Sequence, residues 1–239
     1  MIKAAIDRVL QLADPHIEHI NGRVYSDKPM LSIDSELRAT GIKMSSLSSL
    51  VNYIKSGLDR KESAYLVHVL SPTEVTLVSC LDGDRQREIL VDIRAEVPEF
   101  SFNREIPHEN FIIGVQSKFI SSTDNDKALI LKFAGTVTTG SVTEYGDDGI
   151  TQKATIKNGV ASMAEAIVPS PCRLRPYRTF IEVEQPESDF IFRLSEKAGD
   201  IYCALYEADG GAWKVEAKGN IYEYLNEQLK DCTDVLVIA

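Results

Sequence analysis

The stretch Leu66-Val-His-Val-Leu70, followed by Ser71-Pro-Thr-Glu74, Val75-Thr-Leu-Val-Ser-Cys80, Leu81-Asp-Gly-Asp84 and Arg87-Glu-Ile-Leu-Val-Asp-Ile-Arg94, decides the fold class. Its first two apolar runs are rich in β-branched residues and are separated by a four-residue turn containing proline, which predicts a β-hairpin. The third run alternates Ile89, Val91 and Ile93 with polar residues, so a third strand is expected over 87–94. Turns this short join antiparallel neighbours, whereas parallel strands need a long crossover. The expectation is an antiparallel meander with one wet face.

Upstream, Leu47, Leu50, Val51, Ile54 and Leu58 fall on one helical face, and Ser45 or Ser46 stands where a hydroxyl can accept a first-turn N–H. Ile2, Ala5, Ile6, Val9, Leu10 and Ala13 predict a short amphipathic helix ended by Asp14-Pro15. Residues 15–43, broken by Pro15, Gly22, Pro29 and Gly41, predict loop with short strands.

Downstream, Pro107 suits a first helical turn, and Phe111, Ile112, Val115 and Phe119 supply a buried stripe. A short helix is expected over 124–134, and strands over 136–144 and 151–157 around Asp148-Gly149. Further strands are expected at 179–184, 189–194 and 200–207, then a helix near 218–230 burying Ile221, Leu225 and Leu229. Val235–Ile238 is apolar and reads as an added edge strand. The predicted fold class is α+β: largely antiparallel sheets of β-hairpins packed with four to five short helices. One unit spanning 1–239 is expected, with a division into 1–120 and 121–239, or a boundary at 168–176, as the alternative.

Charge narrows the partners. The net charge is −10, with −3 in residues 1–120 and −7 in 121–239. An acidic chain is repelled by phosphate backbones and anionic bilayers, so nucleic acid is disfavoured as a partner. No run approaches the ~18 apolar residues of a membrane span, and the first residues lack a signal-peptide layout. Cys80, Cys172, Cys203 and Cys232 form no Cys-x-x-Cys pair, which predicts free buried thiols in a reducing cytoplasm and no metal site.

No Walker loop, Gly-x-Gly-x-x-Gly, His-Glu-x-x-His or Gly-x-Ser-x-Gly occurs, and no cofactor is implied. His16 and His19 flank Glu18 in a predicted loop and are read as surface residues. Asp147-Asp148-Gly149 and Glu207-Ala-Asp209-Gly-Gly211 lack the ligand spacing of a cation loop and read as turns.

Pro169-Ser-Pro-Cys-Arg-Leu-Arg-Pro-Tyr-Arg178 gathers Arg173, Arg175 and Arg178 in an acidic chain. Guanidinium forks match phosphate and carboxylate geometry, so the three are the candidate anion-binding residues. The alternative is pairing with Glu182, Glu184 or an acidic neighbouring subunit. Trp213 and Tyr177 are the candidate core or interface anchors.

The order of segments resembles the YfdQ-like family of uncharacterised phage and prophage proteins. Ser49-Leu-Val-Asn-Tyr-Ile54, the strand pair after it, Pro98-Glu-Phe-Ser-Phe102, Glu109-Asn-Phe111, Pro176-Tyr-Arg-Thr-Phe180 and Trp213-Lys-Val-Glu-Ala217 carry the resemblance. It implies a phage-encoded protein made in the host cytoplasm and supplies no catalytic residues. A non-enzymatic binding or assembly protein, working as a homo-oligomer, is the functional expectation. Its alternatives are a counter-defence protein that sequesters a small anionic signal or a host protein, and an accessory of phage DNA replication or recombination.

Overall fold

The computed structural model describes residues 2–3, 5–6, 15–20, 23–29, 38–59, 64–83, 85–136, 142–147, 152–158, 162–167 and 170–239, with backbone alone between 142 and 167. Contacts divide the chain into Met1–Arg38 and Ala39–Ala239.

In the first unit, residues 2–3 and 5–6 are helical, and the rest of the predicted first helix lies outside the described residues. The strands β1 (Ile17–Ile20) and β2 (Arg23–Ser26) pair antiparallel, with Ile17 opposite Ser26. Asp27 closes the hairpin base by accepting the His16 N–H on its carboxylate at 2.7 Å.

The second unit is α+β, built on mixed and antiparallel sheets. Its five-stranded sheet contains β3 (Ile42–Met44), β4 (Tyr65–Ser71), β5 (Glu74–Ser79), β6 (Ile89–Arg94) and β14 (Val235–Ile238), in the order β14-β4-β5-β6-β3. The expected meander is its centre, and strict alternation buries Val67, Val69, Val75 and Leu77. Both edge strands pair parallel: β14 with β4 and β3 with β6.

Helix α1 (Leu47–Ser56) covers this core with Leu47, Leu50 and Val51. Ser46 Oγ accepts the Ser49 N–H at 3.3 Å, and Gly57 ends the helix at φ 65°. Leu58 therefore falls beyond the cap and stays 78% exposed, although helical spacing had placed it on the buried face.

The four-stranded antiparallel sheet contains β7 (Ile106–Pro107), β11 (Cys172–Leu174), β12 (Ser188–Lys197) and β13 (Asp200–Glu207), in the order β11-β12-β13-β7. Helices α2 (His108–Lys118) and α3 (Lys127–Thr136) share its core with Phe190, Phe192, Leu194 and Leu205. Gly114 lets the Phe100 ring reach α2, because a Cβ there would meet Phe100 Cε2 at 3.0 Å. The rings of Phe102 and Phe190 stack at 5.4 Å. A third sheet pairs β8 (Val142–Asp147), β9 (Gln152–Asn158) and β10 (Ser162–Ile167) in the order β10-β9-β8. The Asp148-Gly149 turn lies outside the described residues.

Three expectations are corrected. Residues 179–184 form no strand, because the buried Gln185 side chain gathers their backbone. Its Oε1 accepts the N–H groups of Arg178 and Thr179 at 3.0 and 3.1 Å, and its Nε2 donates to Phe180 O at 2.8 Å. Thr136, expected to open a strand, instead ends α3; β8 (Val142–Asp147) is the described part of that strand, and residues 137–141 lie outside the described residues. The last helix, α4 (Ala212–Leu229), starts six residues earlier than predicted. Asp209 causes this: its carboxylate accepts the N–H groups of Gly211 (3.0 Å) and Trp213 (3.4 Å) while Gly210 and Gly211 adopt positive φ. Ala217, Ile221, Leu225 and Leu229 then recur every fourth residue and are buried, the last three in the core under the five-stranded sheet. None of the described helices is long and apolar enough to cross a membrane.

Candidate functional site

The arginine segment enters the four-stranded sheet through β11. Cys172 and Leu174 turn into the core, and Arg173 lies between them with its side chain 60% exposed. Its Nε meets Asp189 Oδ1 at 3.5 Å, and its backbone N–H donates to Asp126 Oδ2 at 2.7 Å. Arg175 splits its fork between Glu184 (3.2 Å) and Glu187 (3.1 Å). Arg178 is the buried member, with 7% of its side chain exposed, and its Nη1 reaches Glu207 Oε1 at 3.1 Å. The three guanidinium groups thus go to three different sets of carboxylates.

Arg178 organises a compact polar cluster. Its Nη2 donates to Ser188 Oγ, which in turn donates to Asp209 Oδ2 at 2.6 Å. The Trp213 ring lies 4.0 Å from Arg178 Cζ, and its Nε1 donates to the same Glu207 oxygen at 3.1 Å. Trp213 is half-buried and acts as an anchor through this cation–π contact. Tyr177 is half-buried, and its backbone N–H donates to Lys118 O at 3.0 Å.

Burial pulls the Arg178 guanidinium down to about 10, against the opposing pull of Glu207, Asp209 and Glu216. Burial disfavours the Asp209 carboxylate too, but hydrogen bonds from Ser188, Gly211 and Trp213 and the charge of Arg178 outweigh it. Asp209 is therefore held below its usual range. An incoming anion would have to displace carboxylates already seated on each arginine. Sequence reading missed Glu207, Ser188 and Asp209 as partners, because they lie 10–31 positions away and their turn residues explained themselves locally.

The other marked residues are simpler. His16 Nε2 meets Glu18 Oε1 at 3.1 Å, with both side chains exposed. Among the described residues no group of three or more His, Cys, Asp or Glu is placed to hold a metal. Cys172 and Cys203 are buried, and burial pushes both thiols up to about 12; Cys80 is exposed and Cys232 half-buried, unlike the four buried thiols expected. A cleft of about 190 Å³ opens between the end of α1 and residues 231–234. In it, Tyr53 and Tyr65 donate their hydroxyls to the Asp59 carboxylate and carbonyl, each at 2.9 Å. Burial and the Asp59 neighbour push Tyr53 up to about 12, so it remains a neutral donor.

The open face of the five-stranded sheet carries a second kind of feature. Leu236 lies beside Leu66, Leu66 beside Val78, and Val78 beside Ile89, which makes an apolar row across four strands. Leu236 is 62% and Ile89 54% exposed. A register shift at Leu77/Val78 brings Ile89 into the row and turns Leu90 and Val91 inward. The row ends on β14, an outer strand among the described residues.

No protein-family model matches the sequence, and no curated protein and no solved structure is similar to it.

Proposed function

We propose that this chain is a non-enzymatic binding and assembly protein that works as a homo-oligomer. The observation that carries this reading is the row Leu236–Leu66–Val78–Ile89, whose two ends stand open to water. Contiguous exposed apolar surface of this kind marks interaction sites, because water is driven off it when a complementary surface arrives. The arginine segment supports the same reading from the other side. Its cations are engaged with the chain's own carboxylates, so its evident work is to hold the four-stranded sheet to the start of α4. The phage or prophage origin expected from the order of segments would have this assembly work in a phage-infected host's cytoplasm.

Light scattering on the eluting protein, from micromolar to hundreds of micromolar, tests the reading. The expected result is a mass above that of the 26.5 kDa chain that falls on dilution, and falls further in Ile89→Lys. A constant single-chain mass throughout would remove assembly from the account. Turnover of a substrate by the purified chain would remove its non-enzymatic part.

A further inference from the structure

Sheets generally protect their edges, since an outer strand offers unpaired N–H and C=O groups to any other strand. The outer strands of the three sheets in Ala39–Ala239 differ in this respect. β3 carries Lys43, β7 carries Pro107 and β11 carries Arg173. β8 carries Glu144 and Asp147, and β10 carries Glu165. Among these outer strands of the described residues, β14, Val235-Leu-Val-Ile238, is the one with neither a charge nor a proline.

The pairing of β14 with β4 tells which of its backbone groups are spoken for. Asp234 O accepts the Tyr65 N–H at 2.7 Å, so the polar groups of Asp234, Leu236 and Ile238 point toward β4. Strand alternation then turns the Val235 C=O and the N–H and C=O of Val237 outward, while the Val235 N–H donates to Cys232 O at 3.3 Å. Side chains alternate as well: Val237 is buried against the core, and Leu236 and Ile238 stand on the open face.

Resting on the assembly reading above, we infer that β14 pairs antiparallel with β14 of a second copy, across a two-fold axis passing through Val237. The strand's own pattern of outward backbone and exposed apolar side chains selects a second copy as the occupant, and charge favours this direction. Parallel pairing would set Asp234 beside Asp234 of the other copy, about 5 Å apart. Antiparallel pairing on Val237 separates them by about 20 Å, beyond the screening length of about 8 Å at physiological salt. Shifting the axis to Leu236 would set Asp234 opposite Ile238. The axis on Val237 instead sets Leu236 opposite Ile238, so the exposed apolar residues cover one another and the row continues into the second copy. It also matches outward backbone groups with outward backbone groups, and core face with core face. Both copies of α4 then lie on the same side of a ten-stranded sheet, in a closed, isologous dimer.

Residue-resolved amide exchange at low and high protein concentration tests this, alongside the mass of Leu236→Lys and Ile238→Lys. Both side chains stand exposed, so neither variant disturbs the core. The expected result is a dimer in which the Val237 amide slows at least tenfold with concentration, while the Val235 amide, already bonded to Cys232 O, changes little. The Leu236 and Ile238 amides, already bonded to β4, should change little, and both variants should be single chains with unchanged protection elsewhere. If the protein associates while the Val237 amide exchanges at a concentration-independent rate, the edge pairing is wrong and the broader assembly reading survives. A parent that stays a single chain at every concentration, or whose edge is filled by a foreign strand, overturns this pairing; the first result overturns the assembly reading with it.

Discussion

Between Pro176 and Gln185 the polar groups turn inward, whereas along β14 the backbone of every second residue turns outward. In the first region Gln185 collects backbone N–H and C=O groups, and Arg178 is gripped by Glu207, Ser188 and the Trp213 ring. In the second, an uncharged strand presents Leu236 and Ile238 at 62% and 38% exposure. In this acidic chain concentrated charge marks a place of internal cohesion, and the uncharged strand is where the proposed second copy would approach. A charged group seated on its partner has its field spent locally, while an unpaired strand edge keeps its full bonding capacity.

The largest expected effect comes from breaking the inward region. Arg178→Ala leaves Glu207 without its cation and Ser188 without its donor, and should cost roughly 3 kcal/mol of stability in chemical denaturation. It should leave the mass in solution unchanged wherever the variant is folded; a change in mass would mean that the two regions are coupled.

Trp213→Ala removes the ring over Arg178 and a donor to Glu207, and about 2 kcal/mol should be lost. The smaller Trp213→Phe keeps the cation–π face and should recover part of that loss; equal losses would show that the ring's face contributes nothing.

Acid sharpens the comparison further. The Asp209 carboxyl is held below the ordinary aspartate value, so its stabilising effect is present in full above that ordinary value and fades as pH falls through the lower folded one. The stability gap between parent and Asp209→Asn should therefore be wide near neutrality and narrow in strong acid. A gap constant across the acid range would remove the cap and its Arg178 partner from the account.

The smallest effects belong to exposed positions. Arg173→Ala should change stability by less than ~1 kcal/mol, because its pair with Asp189 is long and open to solvent. Alkylation should find Cys80 well before Cys172 or Cys203, whose thiols burial pushes up to about 12. Early modification of either buried thiol in the folded protein would contradict the packing of the four-stranded sheet.

Much of the fold was legible where the signal is local. The meander of β4–β6, the Ser46 cap and the apolar character of β14 each follow from a few adjacent residues. Legibility fails where a distant side chain decides the backbone. Phe180–Glu184 has the composition of a strand, yet Gln185 curls it. Ala212–Ala217 lacks an apolar stripe, yet Asp209 starts the helix there. The candidate site shows the same limit, since the three arginines stood out as a cluster and their carboxylates lay scattered from 184 to 207.

By itself the sequence determined the α+β class, the short-turn meander and the acidic balance, because periodicity, turn chemistry and charge are properties of neighbouring residues. Only the tertiary structure decided that the arginines seat on the chain's own carboxylates, that β14 and β3 join parallel at opposite edges, and that Leu236, Leu66, Val78 and Ile89 align. Those outcomes depend on which segments, up to 170 positions apart, come to share a sheet or a solvent-excluded space.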